Sequence, residues 1–341
     1  MSEVTRSDRA IGAAWGLALG DALGFPADQH RTVRDPWVRS TLWKAPLELD
    51  EAQVLRVVTP FVLNTLEVSQ FTPTDDAESF IVAARALIDS SSHDVGPLFN
   101  TWISLMNGPD VWCGPAARSA VINAREGMIP PATGNDNPAF YDDTAIPGAV
   151  AVGIAYSGRP EEAREVASRF ASITHAHDGL VAAQVVASLI AELISGASAT
   201  DAWQRALAIP DGDSWLGSAL LSAHHIVEKH PTYFDALPRL LEAFAPRTYS
   251  HPGTAAETLP LAYAISHYAD SNLGTALPAA LAVARHQDSL PAMVGAICGA
   301  TVGAAAFGDD WPRRIDSVKG TCVPALAGSS LRELAETLSK M

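Results

Sequence analysis

The chain is 341 residues long and 48% hydrophobic, with a mean hydropathy of +0.11 and a formal net charge of −15. Such a composition can bury a sizeable core. Carboxylates are in excess and lysine occurs only at Lys44, Lys229, Lys319 and Lys340, which excludes the clustered basic face that a nucleic-acid backbone or an anionic membrane needs.

In chain order the pattern is helical almost throughout, because alanine is abundant and Val and Ile seldom alternate. A first helix is predicted from Arg9 to Leu23, with Gly12, Gly16 and Gly20 at a spacing of four. Such a stripe of small residues lets a neighbouring backbone approach closely. The segment GDALGFPADQH is expected to break this helix at Gly24 and Pro26. Residues 30–73, divided by Pro36, Pro46, Pro60 and Pro73, read as loops with one or two short helices around Glu51 to Leu66. Helical spacing resumes at Asp76 in DAESFIVAARALIDS and again from Val95 to Met106, before the turn NGPDVWCGP. A helix over AARSAVINAREG stops at Gly127, and residues 128–143 form a polar loop. Thr144 to Gly196 reads as three helices broken at SGRPEE and THAHDG; Pro160 and the two glutamates after it suit a helix start. Further helices are predicted within 199–246, 255–285, 289–306 and 330–340. No fixed-period repeat or low-complexity linker divides the chain, so residues 1–341 are expected to form a single all-α domain with its function in the loops.

Cysteine is sparse, at Cys113, Cys298 and Cys322, with no C-x-x-C pair, which argues against a disulfide framework. The N-terminal MSEVTRSDRA lacks the basic-then-apolar order of a secretory signal. No apolar run of roughly 20 residues escapes polar interruption. The expectation is a soluble, cytoplasmic protein that contacts neither membrane nor nucleic acid.

Two acidic clusters stand where a loop enters a helix: Thr74-Asp75-Asp76 and His286-Gln287-Asp288-Ser289. Hard cations such as magnesium take several oxygen ligands from carboxylates, hydroxyls and water, and two such helix starts can converge on one ion. Each cluster alone also has a plainer reading. Asp75 with Glu78 resembles a capping box, and Asp288 or Ser289 ahead of Pro291 is a good N-cap.

Read in order, the motifs resemble a known family. AIGAAWGLALGDALGFPAD is similar to the opening signature G-x-x-x-G-x-A-x-G-D-A-L-G-x-P-x-E of the ADP-ribosylglycohydrolase family, with Asp28 where the family usually has Glu. TPTDDAESF resembles its T-D-D-T segment, CGPAARSAVINAREG its G-P-T-T-R helix, and ASITHAHDGLVAAQ its T-H stretch through Thr174 and His175. ETLPLAYAI and ARHQDSLPAMVGAICGATVGA resemble the C-terminal helices, the second following G-G-D-T-D-T-x-A-A-x-x-G-A. The resemblance spans about residues 8–312.

It implies a multi-helix domain with magnesium, or manganese, as one or two ions in a loop-lined cleft. Thr74, Asp75, Asp76, Asp288 and Ser289 would be metal ligands, with Asp75 and Asp288 mainly holding the ion. Asp28 would lie near the scissile ribose, and either it or a metal-bound aspartate would be the base. His175 would lie near the ribose or phosphates, with Asp21, Gly114, Asn135, Asp142 and Asp143 in the substrate set. Tyr141 and Tyr249 are the better candidates to stack on a base; Trp102 and Trp112 read as core or rim.

The sequence departs from the family pattern in two places. His286 stands where the first aspartate of D-T-D-T falls, so it is a candidate ligand through nitrogen, a substrate contact, or the loss of one metal site. The loop GNDNPAFYDDTAIPG replaces the family's G-N-G-A-A-M-R-x-A-P; the family's Arg falls near Thr144, and Asp142 and Asp143 add negative charge. Like charges repel in a partly desolvated cleft, so a smaller ribosyl compound stands beside ADP-ribosylated protein as substrate.

Weaker candidates are a zinc pair at His175 and His177, a surface or core-edge role for His224 and His225, and a nucleophilic Cys113. The expectation is a metal-dependent hydrolase of an N- or O-glycosidic bond of an ADP-ribosyl or smaller ribosyl substrate, acting as a monomer or weak homodimer. A non-catalytic protein of the same fold that binds a nucleotide or partner, and a biosynthetic enzyme remodelling a ribosyl compound, remain as alternatives.

Overall fold

The computed structural model describes residues 4–31, 72–245 and 253–341, so the expected helix around Glu51 and the role given to Tyr249 lie outside the described residues. Among the described residues there is no β-strand, only the isolated bridges Asp142–Thr254 and Ser317–Ser330. The helices are α1 (Arg6–Arg31), α2 (Asp75–Asp89), α3 (Val95–Met106), α4 (Pro115–Arg125), α5 (Ala132–Asn135), α6 (Ile146–Ala155), α7 (Pro160–Ala171) and α8 (His177–Ile194). They continue as α9 (Ala199–Ala206), α10 (Trp215–Lys229), α11 (Tyr233–Phe244), α12 (Ala255–Tyr268), α13 (Leu273–Leu281), α14 (Leu290–Val302), α15 (Asp310–Ile315) and α16 (Leu331–Leu338).

The most extensive pairing is α1 against α14. A Cβ on Gly12, Gly16, Gly20 or Gly24 would collide with the backbone carbonyl oxygen of Gly299, Gly295, Pro291 or Gln287 respectively. One series rises as the other falls, so the two helices run antiparallel with their backbones in contact. Gly295 and Gly299 return the contact onto Gly16 and Gly12. Only glycine permits this approach, and the stripe therefore fixes both the partner and the register.

The same contact explains why α1 continues to Arg31 instead of stopping at Leu23. Gly24 keeps a negative φ and meets the backbone of Gln287 and Asp288; its small size serves packing, not a helix stop. Pro26 removes one backbone donor without ending the helix.

Around this pair pack α2 with α6, α6 and α7 with α8, and α10 with α12. Helix α8 is long and apolar enough to cross a membrane by length and composition, an exception to the sequence expectation; here it is a core helix, with 72% of it buried. The three helices expected between Thr144 and Gly196 are α6, α7 and α8, and Val95–Met106 has the predicted bounds. The loop 128–143 contains the single turn α5, whose Gly134 lies so close to α7 that a Cβ would sit 2.6 Å from the Ser172 and His175 carbonyl oxygens. The short α15 was not anticipated; six residues carry too little periodicity to be read.

Candidate active site

The antiparallel pairing brings the last turns of α1 beside the first turn of α14, and α2 enters at the same end. Asp21 of α1 is buried and reaches across to the start of α2. Its Oδ1 accepts from the Thr74 hydroxyl at 2.5 Å, and its Oδ2 accepts from the backbone N–H groups of Thr74 at 2.7 Å and Ala77 at 3.0 Å. Asp21 therefore caps α2 from outside. Thr74, the N-cap residue by position, makes no side-chain cap bond. Glu78 does not turn back toward Thr74 either. Its carboxylate accepts from the N–H groups of Thr321, Cys322 and Val323 at 2.7, 3.0 and 2.6 Å. The capping-box reading of Asp75 and Glu78 is thus excluded.

The second cluster behaves alike. Ser289 is the N-cap residue of α14 and makes no side-chain cap bond; its hydroxyl donates to Asp143 Oδ2 at 2.7 Å. Asp143 is itself held by its N–H to the Gly253 carbonyl at 2.8 Å. Thr74 and Ser289 thus leave the capping of their helices to other groups, and the Asp75 carboxylate accepts from backbone N–H groups at the start of α2.

The carboxylates also act on one another. Burial, then the charge of Asp288, raises the pKa of Asp75. Burial, then Asp75, Asp21, Asp143 and Asp288, holds Asp76 well above the usual carboxylate range. Burial, then Asp142 and Asp288, does the same to Asp143, against hydrogen bonds from Ser289 and Thr258. Asp21 is pushed up to about 7 by burial and by Asp75, against its bonds to Thr74 and Ala77. The leading charges on each of the four are other carboxylates. Buried like charges of this kind need protons or a cation between them.

The donor set is made of hard oxygens, the chemistry that magnesium and manganese take. One more oxygen is unspent: Asp142 Oδ2 is buried without a hydrogen-bond partner. Among the described residues no three His, Cys, Asp or Glu side chains yet stand at metal-ligand separation. The residues fit a hard cation in donor chemistry but not in spacing.

The other predicted residues divide. Asp142 and His175 form a buried pair, Nε2 to Oδ1 at 2.7 Å, and the same oxygen accepts from the Thr144 N–H and hydroxyl at 3.0 and 2.6 Å. His175 Nδ1 lies 2.7 Å from the Thr174 hydroxyl. Tyr141 is half-buried, its ring 6.3 Å from that of Trp215. Asn135 is exposed; the buried asparagine is Asn137, whose Nδ2 donates to the Ala116 and Thr174 carbonyls at 2.8 and 2.9 Å. His286 is fully buried and turned toward α11 and α12, its Nε2 2.9 Å from the Phe244 carbonyl and 3.3 Å from Glu257 Oε2. Asp28 lies in α1, its side chain outside the described residues.

A cleft opens beside the cluster. Asp75 and Asp76 stand on its wall with Gly114 and Thr144, and Trp102, Trp112 and Phe170 supply apolar surface. Cys113 also lines it, but burial raises its pKa despite Arg118 nearby, which disfavours a thiolate nucleophile. Asn137 was not singled out from sequence, and Glu78 was read only as half of a capping box, because their partners lie far away in the chain.

Fold and site define an all-helical protein with converging acidic helix starts beside a cleft. The family model described as ADP-ribosylglycohydrolase matches residues 2–340, and the chain belongs to that family. Among solved structures it is similar to a chain described as "ADP-ribosylglycohydrolase-related protein complex", at 21% identity over 98% of each chain and a TM-score of 0.62. That likeness speaks for the fold. No curated protein matches the chain. Family membership supports a glycohydrolase-type function.

Proposed function

We propose that the chain is a cation-dependent hydrolase that cleaves the N- or O-glycosidic bond of an ADP-ribosyl or smaller ribosyl substrate. The observation that carries this is the idle state of both caps: Thr74 and Ser289 head their helices without side-chain cap bonds, and the charge of Asp288 reaches Asp75 at the start of α2. Thr74, Asp75, Asp76 and Asp288 would hold magnesium or manganese. When bound, such an ion lowers the pKa of a water and orients ribose hydroxyls. Cleavage passes through an oxocarbenium-like state, and carboxylates facing the cleft stabilise its positive charge. A carboxylate of the cluster, or Asp28, accepts the proton of the attacking water. Asp21 positions Thr74 and the start of α2, with both oxygens engaged there.

Residues 134–148 contain three aspartates and no Lys or Arg, which favours the smaller ribosyl compounds over a pyrophosphate. A second reading, binding without turnover, draws support from His286, which spends its Nε2 on Phe244 and Glu257. Asp75→Asn and Asp288→Asn should each lose bound cation and at least about 100-fold of activity. Elemental analysis of the purified variants tests this; a metal load unchanged in both sinks the cation centre. Cation binding with no release of ribose from any ribosyl compound selects the second reading.

A further inference from the structure

We propose that the Thr174 hydroxyl protonates the departing aglycone, and that His175, held by Asp142, supplies that proton through it. This rests on the reading of the protein as a glycosidase of a ribosyl compound, and it fills a step which that reading leaves open. The carboxylates account for the proton taken from water, not for one given to the leaving atom.

His175 and Asp142 form a dyad that is 1% and 2% exposed. A carboxylate only accepts, so the Nε2–H of His175 donates to Asp142 Oδ1, at 2.7 Å. Nδ1 is then the nitrogen free to exchange a proton, and it lies 2.7 Å from the Thr174 hydroxyl. Thr174 lines the same cleft as Asp75 and Asp76. A cleft hydroxyl, an imidazole and a buried carboxylate stand here in the order by which proteins move protons at a hydroxyl, the third group orienting the second. Thr144, also in the cleft wall, donates its hydroxyl to Asp142 Oδ1 at 2.6 Å. The buried pair thus meets the cleft through two hydroxyls.

The imidazole is held in place by its surroundings. The His175 N–H donates to the Ala171 carbonyl at 2.8 Å, and Asn137 Nδ2 donates to the Thr174 carbonyl at 2.9 Å. Gly179 makes room for the ring, since a Cβ there would sit 2.8 Å from His175 Cδ2. Both ring nitrogens bond side chains, and one of those side chains faces the cleft. In the step, the bond from the anomeric carbon to the leaving nitrogen or oxygen breaks, and its electron pair goes to that atom. The leaving atom takes the Thr174 proton while the hydroxyl takes the Nδ1 proton of the imidazolium, so no alkoxide forms. Water supplies the new oxygen at the anomeric carbon and gives its proton to a carboxylate. Asp142 keeps the Nε2 proton throughout and fixes the tautomer.

Rates of the full chain on aryl ribofuranosides, in both anomers and with and without a 5-phosphate, test the assignment. A nitrophenolate departs without a proton, whereas a methoxyphenolate needs one. Thr174→Val is expected to lose about 100-fold or more of kcat/KM on the methoxyphenyl ribofuranoside and no more than about threefold on the nitrophenyl one. Thr174→Ala should show the same split, and it decides the matter where the valine variant does not fold. Thr174→Ser keeps the hydroxyl and should stay within about threefold of wild type on both. His175→Gln should repeat the split, because the proton source is gone while the hydroxyl remains. Equal losses on the two glycosides in the variants overturn the inference and leave the glycosidase reading standing, since a merely structural role slows every substrate alike. Release of ribose from none of these compounds by the wild type overturns both.

Discussion

Glu78 shows what single residues do around this site. One carboxylate takes three consecutive backbone N–H groups, those of Thr321, Cys322 and Val323, and so ties the C-terminal segment to the helix that carries Asp75 and Asp76. Glu78→Ala leaves the buried Cys322 and Val323 donors, and that of exposed Thr321, without this acceptor, and bonds to a charged group are worth about 1.5–3 kcal/mol each before relaxation and water entry. Burial raises the pKa of Glu78, so part of that gain is offset by its own desolvation. The net loss is expected to be about 2–3 kcal/mol, read from the urea midpoint at constant slope; a loss below 0.5 kcal/mol would mean that the segment is held by packing alone. At this scale the sequence was only partly readable. Asp75, Asp288 and Ser289 stand out because their motifs are local. Glu78 sits three residues after Asp75 and so imitates a capping box, while its real partners lie more than 240 residues away. Likewise nothing local distinguishes exposed Asn135 from Asn137, whose bonds to Ala116 and Thr174 exist only in the fold.

Among elements, α1 and α14 carry the architecture of the site. Glycine spacing announced a close helix contact but not its partner, and the matching Gly295 and Gly299 could be paired with it only in three dimensions. For the same reason Gly24 read as a breaker, although its role is contact with the first turn before α14. Helix periodicity was legible wherever one face is apolar, and failed for pieces as short as α5 and α15. Gly16→Ala adds a methyl against the Gly295 backbone, which cannot swing aside as a side chain does. The better helix propensity of Ala is worth only about 1 kcal/mol, whereas overpacking costs roughly 1–3 kcal/mol and more when both sides are backbone. Gly16→Ala should therefore destabilise by about 2 kcal/mol or more in urea unfolding. Gly24→Ala meets the Gln287 and Asp288 carbonyls, so it should also weaken Mn²⁺ binding, while Gly12→Ala at the far end should not. Equal affinity in the two variants would break the link between this helix contact and the cation centre.

The whole molecule carries a net charge of −15 and concentrates part of it in one buried cluster, which couples its stability to pH and to cations. Aspartate in an unfolded chain titrates near 3.9. In the folded, cation-free protein Asp21 is pushed up to about 7, and Asp75, Asp76 and Asp143 are raised as well. Between those values the folded state binds more protons than the unfolded state, so stability falls as pH rises. The contribution of Asp21 is fully present below about pH 4 and is lost as pH climbs through about 7, and those of Asp75, Asp76 and Asp143 have the same sign. A cation reverses the trend, because it displaces the same protons and binds more tightly as pH increases. At a hundred times its dissociation constant, a ligand of the native state adds roughly 2.7 kcal/mol, a shift of several degrees in Tm. In EDTA the unfolding temperature should therefore fall between pH 5 and pH 8, and the rise produced by Mg²⁺ should be small at pH 5 and several degrees at pH 8. Calorimetric scans at the two pH values, with and without Mg²⁺, measure it. An increment that shrinks with rising pH would mean that the ion binds somewhere other than these carboxylates, since only groups that must give up protons impose this sign.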